Sequence, residues 1–284
     1  MNPALHAVRL GLSRGWTEFK LSITNPQEMA GNIFFAVIFL VVLILQRHAT
    51  IELTGMSLAM VTMPSIVGMM VALGGIMGAA SQLTIEREDG TLLRAKAIPH
   101  GMIGYLFARI VSVSLGTVVS MLIILIPGLF LVPDLASTDL GGWLTLIGVA
   151  ALGLLATLPW GAVAGAIAKT PSALFGVAML PIMIITGISG IFYPISALPE
   201  WVQGIAQVFP MYWLGLGVRS ALLPDSVVVA EIAGSWRPLM MVAVLGAWAA
   251  VGLFLAPIIL RRMARRESGS AVAERRQQAM QRIG

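Results

Sequence analysis

Six long stretches of this chain carry no Asp, Glu, Lys, Arg or His: Ala30–Leu45, Leu58–Gln82, Ile110–Leu131, Trp143–Ala168, Ser172–Ile191 and Pro238–Leu260. A helix needs roughly 20 apolar residues to cross about 30 Å of hydrocarbon at 1.5 Å per residue. The first stretch is the shortest and extends through Glu28, Met29 and Gln46. The expected fold is an all-α membrane protein with six transmembrane helices. Composition agrees: 11% of residues are charged, against about 25% in a soluble domain.

The net charge of +5 does not call for a nucleic-acid partner, because topology accounts for it. With six spans both termini share a side. Arg9, Arg14, Lys20, Arg87, Arg94, Lys96, Arg109, Lys169, Arg261, Arg262, Arg265, Arg266, Arg275, Arg276 and Arg282 fall on that side. Only Arg47, Arg219 and Arg237 fall on the other. The positive-inside rule then places both termini in the cytoplasm of a multi-pass protein of the cytoplasmic (inner) membrane. Residues 1–29 have no continuous apolar core and do not read as a cleavable signal.

Two segments are neither span nor simple loop. In Pro3–Thr24 the residues Leu5, Val8, Leu12, Trp16, Phe19 and Ile23 recur at spacings of 3 and 4, one face of a helix. Residues 1–27 are therefore expected to be an amphipathic helix in the cytoplasmic headgroup layer, broken by Asn25-Pro26. The second is 192–223, on the outer side. Pro199 and Pro210 cut it into apolar pieces of about a dozen residues, too short to span. Tyr193, Trp201, Tyr212 and Trp213 are aromatics of interfacial type. A re-entrant helix pair before the last span is expected there. Tyr193, Pro194, Pro199, Trp201, Pro210 and Tyr212 are the candidate residues of an outer gate; a plain connecting loop is the alternative.

Between two apolar stretches lies a charged island, 84–99, with Glu86, Arg87, Glu88, Asp89, Arg94 and Lys96. Such a segment lies in water and can meet a soluble partner, although a merely solvated loop has the same charge. Gly90 suits a sharp turn and Thr91 the capping of the turn that follows.

The island Glu88-Asp89-Gly90-Thr91-Leu92, ending at Pro99, resembles the cytoplasmic loop of ABC-2 type transporter permeases. The outer segment, from Gly190 through Phe209-Pro210-Met211-Tyr212 to Arg219, resembles that family's second signature. Ala95 and Lys96 depart from the Leu-Leu that often follows the loop's Arg. The resemblance implies a permease subunit of an ATP-driven exporter. It would pair with a second copy of this chain or a paralogue and bind two ABC ATPase subunits. ATP and Mg would sit on those subunits, with none in this chain. Glu86, Arg87, Glu88, Asp89, Gly90 and Thr91 would couple to the ATPase, and the cargo would be a hydrophobic or amphipathic drug, antibiotic or lipid-like compound.

The residues support this independently. The spans hold no ionisable group of the kind that ion-coupled carriers use, and the chain has no Gly-x-x-x-x-Gly-Lys-Ser/Thr phosphate loop. If it pumps, energy comes from another chain. An ion-coupled carrier and a non-transporting scaffold or receptor are the alternatives. His6, His48 and His100 lie outside the spans and there is no cysteine, so neither an enzyme nor a metal site is expected. Met60, Met63, Met69, Met70, Met77, Met179 and Met183 lie in the second and fifth spans. Met adapts to varied apolar ligands, so Met69, Met70, Met77, Met179 and Met183 are candidates to line a cavity; lipid or helix contact explains them equally. Gly161-x-x-x-Gly165 reads as a helix contact. Residues 28–284 form the membrane domain, ending in a basic cytoplasmic tail, 261–284, suited to anionic lipid.

Overall fold

Asn25 ends one helix and starts the next. Its side chain accepts a hydrogen bond from the Gln27 N–H, and Pro26 supplies the preset φ of a first helical residue. The break separates α1 (Pro3–Thr24) from α2 (Pro26–Gln46), as the sequence pattern predicts. A computed structural model describes residues 3–266, apart from 51–54, 100, 134, 136–137, 169 and 171. The distal part of the expected basic tail, 267–284, and Lys169 lie outside the described residues.

The remaining helices are α3 (Leu58–Leu73), α4 (Ala79–Asp89), α5 (Thr91–Ala97), α6 (Gly101–Leu131), α7 (Leu140–Ile167), α8 (Leu180–Ile188), α9 (Glu200–Val208), α10 (Pro210–Leu222) and α11 (Pro238–Arg266). The described residues form no strand beyond one isolated bridge, Thr50 to Ser57. The all-helical expectation holds.

Among the described residues five helices are long and apolar enough to cross a membrane: Pro26–Gln46, Leu58–Asp89, Gly101–Leu131, Leu140–Ile167 and Pro238–Met263. The sixth expected span, Ser172–Ile191, is shorter, with its helix running over Phe175–Ile188. At 1.5 Å per residue this covers roughly 20 Å, short of about 30 Å of hydrocarbon. Local chemistry sets its ends. Thr170 Oγ1 accepts from the Ala173 N–H at 3.2 Å before it, and Gly190 turns the chain at φ +64° after it.

The second span is one continuous rod with a π-helical turn, Gly74–Gly78, between α3 and α4. A π turn carries an extra residue and bends the rod locally. It packs against both α6 and α7. Gly74 faces Thr117 of α6, and Gly75 faces Thr157 of α7. One turn on, Gly161 and Gly165 of α7 lie against the backbone at Ile76 and Ala80. A Cβ at Gly165 would come 2.7 Å from the Ala80 carbonyl oxygen, so the Gly161-x-x-x-Gly165 contact is as expected.

The core lies between α3, α7, α10 and α11. Met63, Ile66, Tyr212, Trp213, Leu214, Leu216 and Leu245 are fully enclosed. By contrast α2 buries only Ala36 and Leu43. Its exposed Ile33, Phe34, Phe35, Val37, Val41 and Leu45 are an apolar surface that water would oppose. Helix α1 shows the same division. Leu5, Leu12, Trp16 and Ile23 are exposed, while the flank with Gly11, Gly15 and Phe19 is buried. Gly11 packs on Gly104 and Gly15 on Ala108 of α6; a Cβ at Gly15 would meet the Ala108 carbonyl oxygen at 2.5 Å.

Candidate functional site

The charged island folds as two helices around a sharp corner. Helix α4 ends at Asp89, and Gly90 takes φ +78°, a left-handed conformation that glycine adopts without a Cβ penalty. Asp89 Oδ1 accepts from the Thr91 N–H at 2.7 Å, and Arg94 Nη2 donates to Thr91 Oγ1 at 3.0 Å. The turn is therefore capped chiefly by Asp89, with Thr91 as acceptor in the first turn of α5. The underside of α5 is apolar: Leu92 and Ala95 join Leu83, Tyr105, Leu260 and Met263 in a cluster of their own. This fixes α5 to α6 and α11.

Glu86 and Arg87 point inward. Arg87 Nη1 donates to the carbonyls of Gly165, Ala166 and Ala168 at 3.1, 3.2 and 3.0 Å. These carbonyls lie at the C-terminal end of α7, where acceptors lack helical partners and a cation is favoured. Glu86 accepts from Tyr105 OH at 2.6 Å and from Arg109 Nη2. Arg109 also donates to Gln82 and lies 3.6 Å from Glu18 of α1. Arg14 of α1, paired with Glu18 at 2.7 Å, approaches Glu86 at 3.9 Å. One polar network thus joins α1, α4 and α6. Outside it, Asp89, Arg94, Lys96 and Ile98 are exposed, and Glu88, Gly90 and Thr91 are half-buried.

The outer-gate candidates divide between a surface piece and a core piece. The Tyr193 hydroxyl donates to the Gly187 carbonyl. Pro194 and Pro199 precede the short turn Ile195–Ala197 and α9. Trp201 on α9 is 71% exposed, with Ile205 and Val208 exposed on the same helix. Pro210 opens α10, where Tyr212 is fully buried. Arg237 links the two helices: its guanidinium donates to Gln207 Oε1 and to Tyr212 OH, each at 2.8 Å, and lies 5.0 Å from the Trp213 ring centroid. Trp213 Nε1 donates to the Gln207 carbonyl at 2.6 Å.

Arg219, which the sequence reading counted only as a basic residue of the outer segment, is a core residue. It is 1% exposed. Its Nε and Nη2 donate to the two Glu231 carboxylate oxygens at 2.6 and 3.1 Å, and Nη1 donates to Ser65 Oγ of α3 at 2.7 Å. No motif marks Glu231, which lies twelve residues along in an irregular turn. The Tyr105 and Arg109 partners of Glu86 were equally unmarked, although a lone Arg opening an apolar stretch was a usable signal.

An apolar cleft lies between α3, α7, α8 and α11, lined by Ala72, Ile76, Ala156, Thr157, Trp160, Ile182, Ile185, Phe209, Pro210, Met211 and Trp248. The candidate methionines are not among these. Met69 is buried, Met70 and Met77 pack on the core, Met179 is half-buried and Met183 is 55% exposed. Polar atoms at the cleft are already bonded: Thr157 Oγ1 to the Gly153 carbonyl at 2.7 Å, Trp160 Nε1 to the Trp248 carbonyl at 3.1 Å. Among the described residues no three His, Cys, Asp or Glu side chains are grouped to hold a metal ion.

Residues 44–252 match the family described as ABC-2 family transporter protein. No curated protein matches the chain. The matched region takes in the island, the outer segment and the bundle core, and the chain belongs to the ABC-2 family of transporter proteins.

Proposed function

We propose that this chain is the membrane subunit of an ATP-driven exporter that moves a hydrophobic or amphipathic compound out across the cytoplasmic membrane. Family membership supports a multi-pass membrane protein with a transport role rather than an enzyme. The finer reading rests on one observation: the island presents an exposed charged corner whose inner residues, Glu86 and Arg87, are bonded to three other helices. Such a corner can be pushed by a soluble partner and pass the displacement on. In this reading Asp89, Gly90, Thr91 and Arg94 meet a groove of the ATPase, while Glu86 and Arg87 carry the push to α6 and α7. Glu88 sits between the two roles.

Two ATPase subunits, carrying ATP and Mg, act on two permease chains, the second being this chain or a paralogue. The six-span arrangement is completed by α8 as a short fifth crossing, with α9 and α10 re-entering from the outer side. From Pro238 to Trp248 is about 15 Å along α11, and Trp248 Nε1 donates to the Val208 carbonyl at 2.8 Å, which supports a dip of that depth. Both termini are cytoplasmic, and the exposed apolar face of α1 lies in the headgroup layer. The expected spans carry no charged side chain, which supports a cargo held by packing rather than by ion pairing. Met183, exposed on α8, and Met179 beside it are proposed contacts at a pathway shared with the second copy; Met69, Met70 and Met77 back it from within.

The test is co-purification with a candidate ATPase and export by reconstituted vesicles. Charge reversal at Asp89 and Arg94 is expected to abolish both; retention of both would overturn the reading. An ion-coupled carrier predicts instead that a protonophore stops transport while ATP is present. The buried Arg219–Glu231 pair gives that alternative little support, because both carboxylate oxygens are already bonded to the guanidinium.

A further inference from the structure

Helix α6 runs 31 residues, about 46 Å at 1.5 Å per residue, against about 30 Å of hydrocarbon. Its uncharged part, Ile110–Leu131, covers about 33 Å alone. The surplus is the stretch from Gly101 to Arg109. Helix α1 packs on that surplus, with Gly11 against Gly104 and Gly15 against Ala108. It therefore lies beside the end of a span, at the depth of lipid headgroups. Polar bonds fix its roll. Glu18 pairs with Arg14 at 2.7 Å and lies 3.6 Å from Arg109, and Arg14 approaches Glu86 at 3.9 Å. Near the end of α1, Ser22 donates to Glu28 of α2.

At about 100° per residue, Leu5, Leu12, Trp16 and Ile23 share the flank away from Arg14 and Glu18, within roughly 40° of one another. All four are exposed. Arg9 and Lys20 border that flank and are exposed too. Lys20 Nζ stands 5.3 Å from the Trp16 ring centroid. Among the described residues neither Arg9 nor Lys20 has a carboxylate partner. Glu18, the one acid within α1, is taken up by Arg14 and Arg109. The flank thus sets two uncompensated cations beside an apolar strip. A helix lying on an anionic bilayer has this form, with the strip at the acyl boundary and the cations at the phosphates. Arg9 and Lys20 are about 16 Å apart along the axis, too far for one phosphate to bridge. The flank suits a surface of many headgroups rather than one soluble anion.

We infer that α1 is a docking surface for anionic phospholipid, with Arg9 and Lys20 on the headgroup phosphates and Leu5, Leu12, Trp16 and Ile23 among the upper acyl chains. The inference rests on the proposed placement of α1 in the headgroup layer and needs neither cargo nor ATPase. The bonds from Arg14 and Glu18 to α4 and α6 hold the flank in one orientation, so lipid meets a preformed strip. Each cation near an anionic membrane surface adds about fivefold in local affinity.

The chain has no cysteine, so Ser13→Cys, at an exposed position of α1, takes a single fluorophore. The labelled full chain is placed in phosphatidylcholine nanodiscs. These hold a small fraction of phosphatidylglycerol, or of phosphatidylcholine, with a nitroxide near the headgroup on one acyl chain. Quenching by the phosphatidylglycerol is expected to exceed quenching by the phosphatidylcholine several-fold. Arg9→Gln with Lys20→Gln is expected to bring the ratio close to one, and Arg9→Lys with Lys20→Arg to keep it. Arg261→Gln with Arg262→Gln, at the end of α11, is expected to change it less than the α1 glutamine pair does. Equal quenching by both lipids in the parent, or a ratio that the α1 glutamine pair leaves unchanged, would overturn the anionic site while the placement of α1 stands. Equal losses from the two glutamine pairs would overturn it as well, by assigning the preference to the whole membrane face. Quenching by neither lipid would mean that protein or water covers this flank, and the placement would fail together with the inference.

Discussion

Arg87 of α4 lies across the end of α7, its Nη1 3.1 Å from the carbonyl oxygen of Gly165. A residue of the charged island thereby becomes the cap of α7. The island and the bundle are one mechanical piece, and several outcomes follow from that.

Arg87→Met removes the donor to three carbonyls. Loss of a hydrogen bond from a charged group costs about 1.5–3 kcal/mol, and unfolding in a detergent titration should shift by that amount. Arg87→Lys keeps the charge at the helix end and should recover part of it. Both variants should still capture the ATPase, because Arg87 faces inward.

Arg94→Glu should behave in the opposite way. Arg94 is exposed and contributes one hydrogen bond within its own turn, so stability should stay within about 0.5 kcal/mol of the parent. Pull-down of the ATPase should fall sharply. If Arg94→Glu unfolded the chain while Arg87→Met did not, the division between inner and outer island residues would be wrong.

Removing one partner of the Arg219–Glu231 pair leaves a buried charge and should cost about 3–5 kcal/mol. Arg219→Met is the sharper variant. The double variant Arg219→Met with Glu231→Leu should recover most of the loss, because apolar replacement of both partners is often neutral. Unfolding of the single and double variants by denaturant titration measures the difference.

Gly15→Leu places a side chain where the Ala108 carbonyl oxygen leaves no room. Overpacking of this kind costs about 1–3 kcal/mol. Helix α1 should lift from α6, and its amides should exchange faster with deuterium while α7 and α10 stay protected. Unchanged exchange in α1 would contradict the packing described.

Helices were legible in the sequence wherever apolar runs or a single face repeated. The bounds of α1 and α2 follow from spacing and from Asn25-Pro26. Five spans follow from length alone. The helix in the sixth stretch is shorter than the apolar run, Phe175–Ile188 within Ser172–Ile191, and the run conceals this because Ser172 and Ile191 are as permissible in lipid as Phe175 and Ile188; hydropathy does not see where a Thr cap or a positive-φ glycine ends a helix. The island was visible as charge, but charge does not say which way a side chain turns. On α4, Glu86 and Arg87 turn toward α6 and α7 while Asp89 turns away, and only the packed neighbours decide that. Arg219 entered the sequence reading only as a basic residue on the sparse side. Its burial depends on Ser65 and Glu231, which are distant in sequence and carry no motif.

The π-helical turn at Gly74–Gly78 sets the phase between the two halves of a 32-residue helix. Each residue of an α-helix turns the face by about 100°. Deleting one residue there would swing Arg87 off the end of α7 by roughly a quarter turn of the rod, with every residue of the island still present. The island's grip on the bundle is thus written about a dozen residues away, in the winding number of a stretch that touches neither Arg87 nor Gly165.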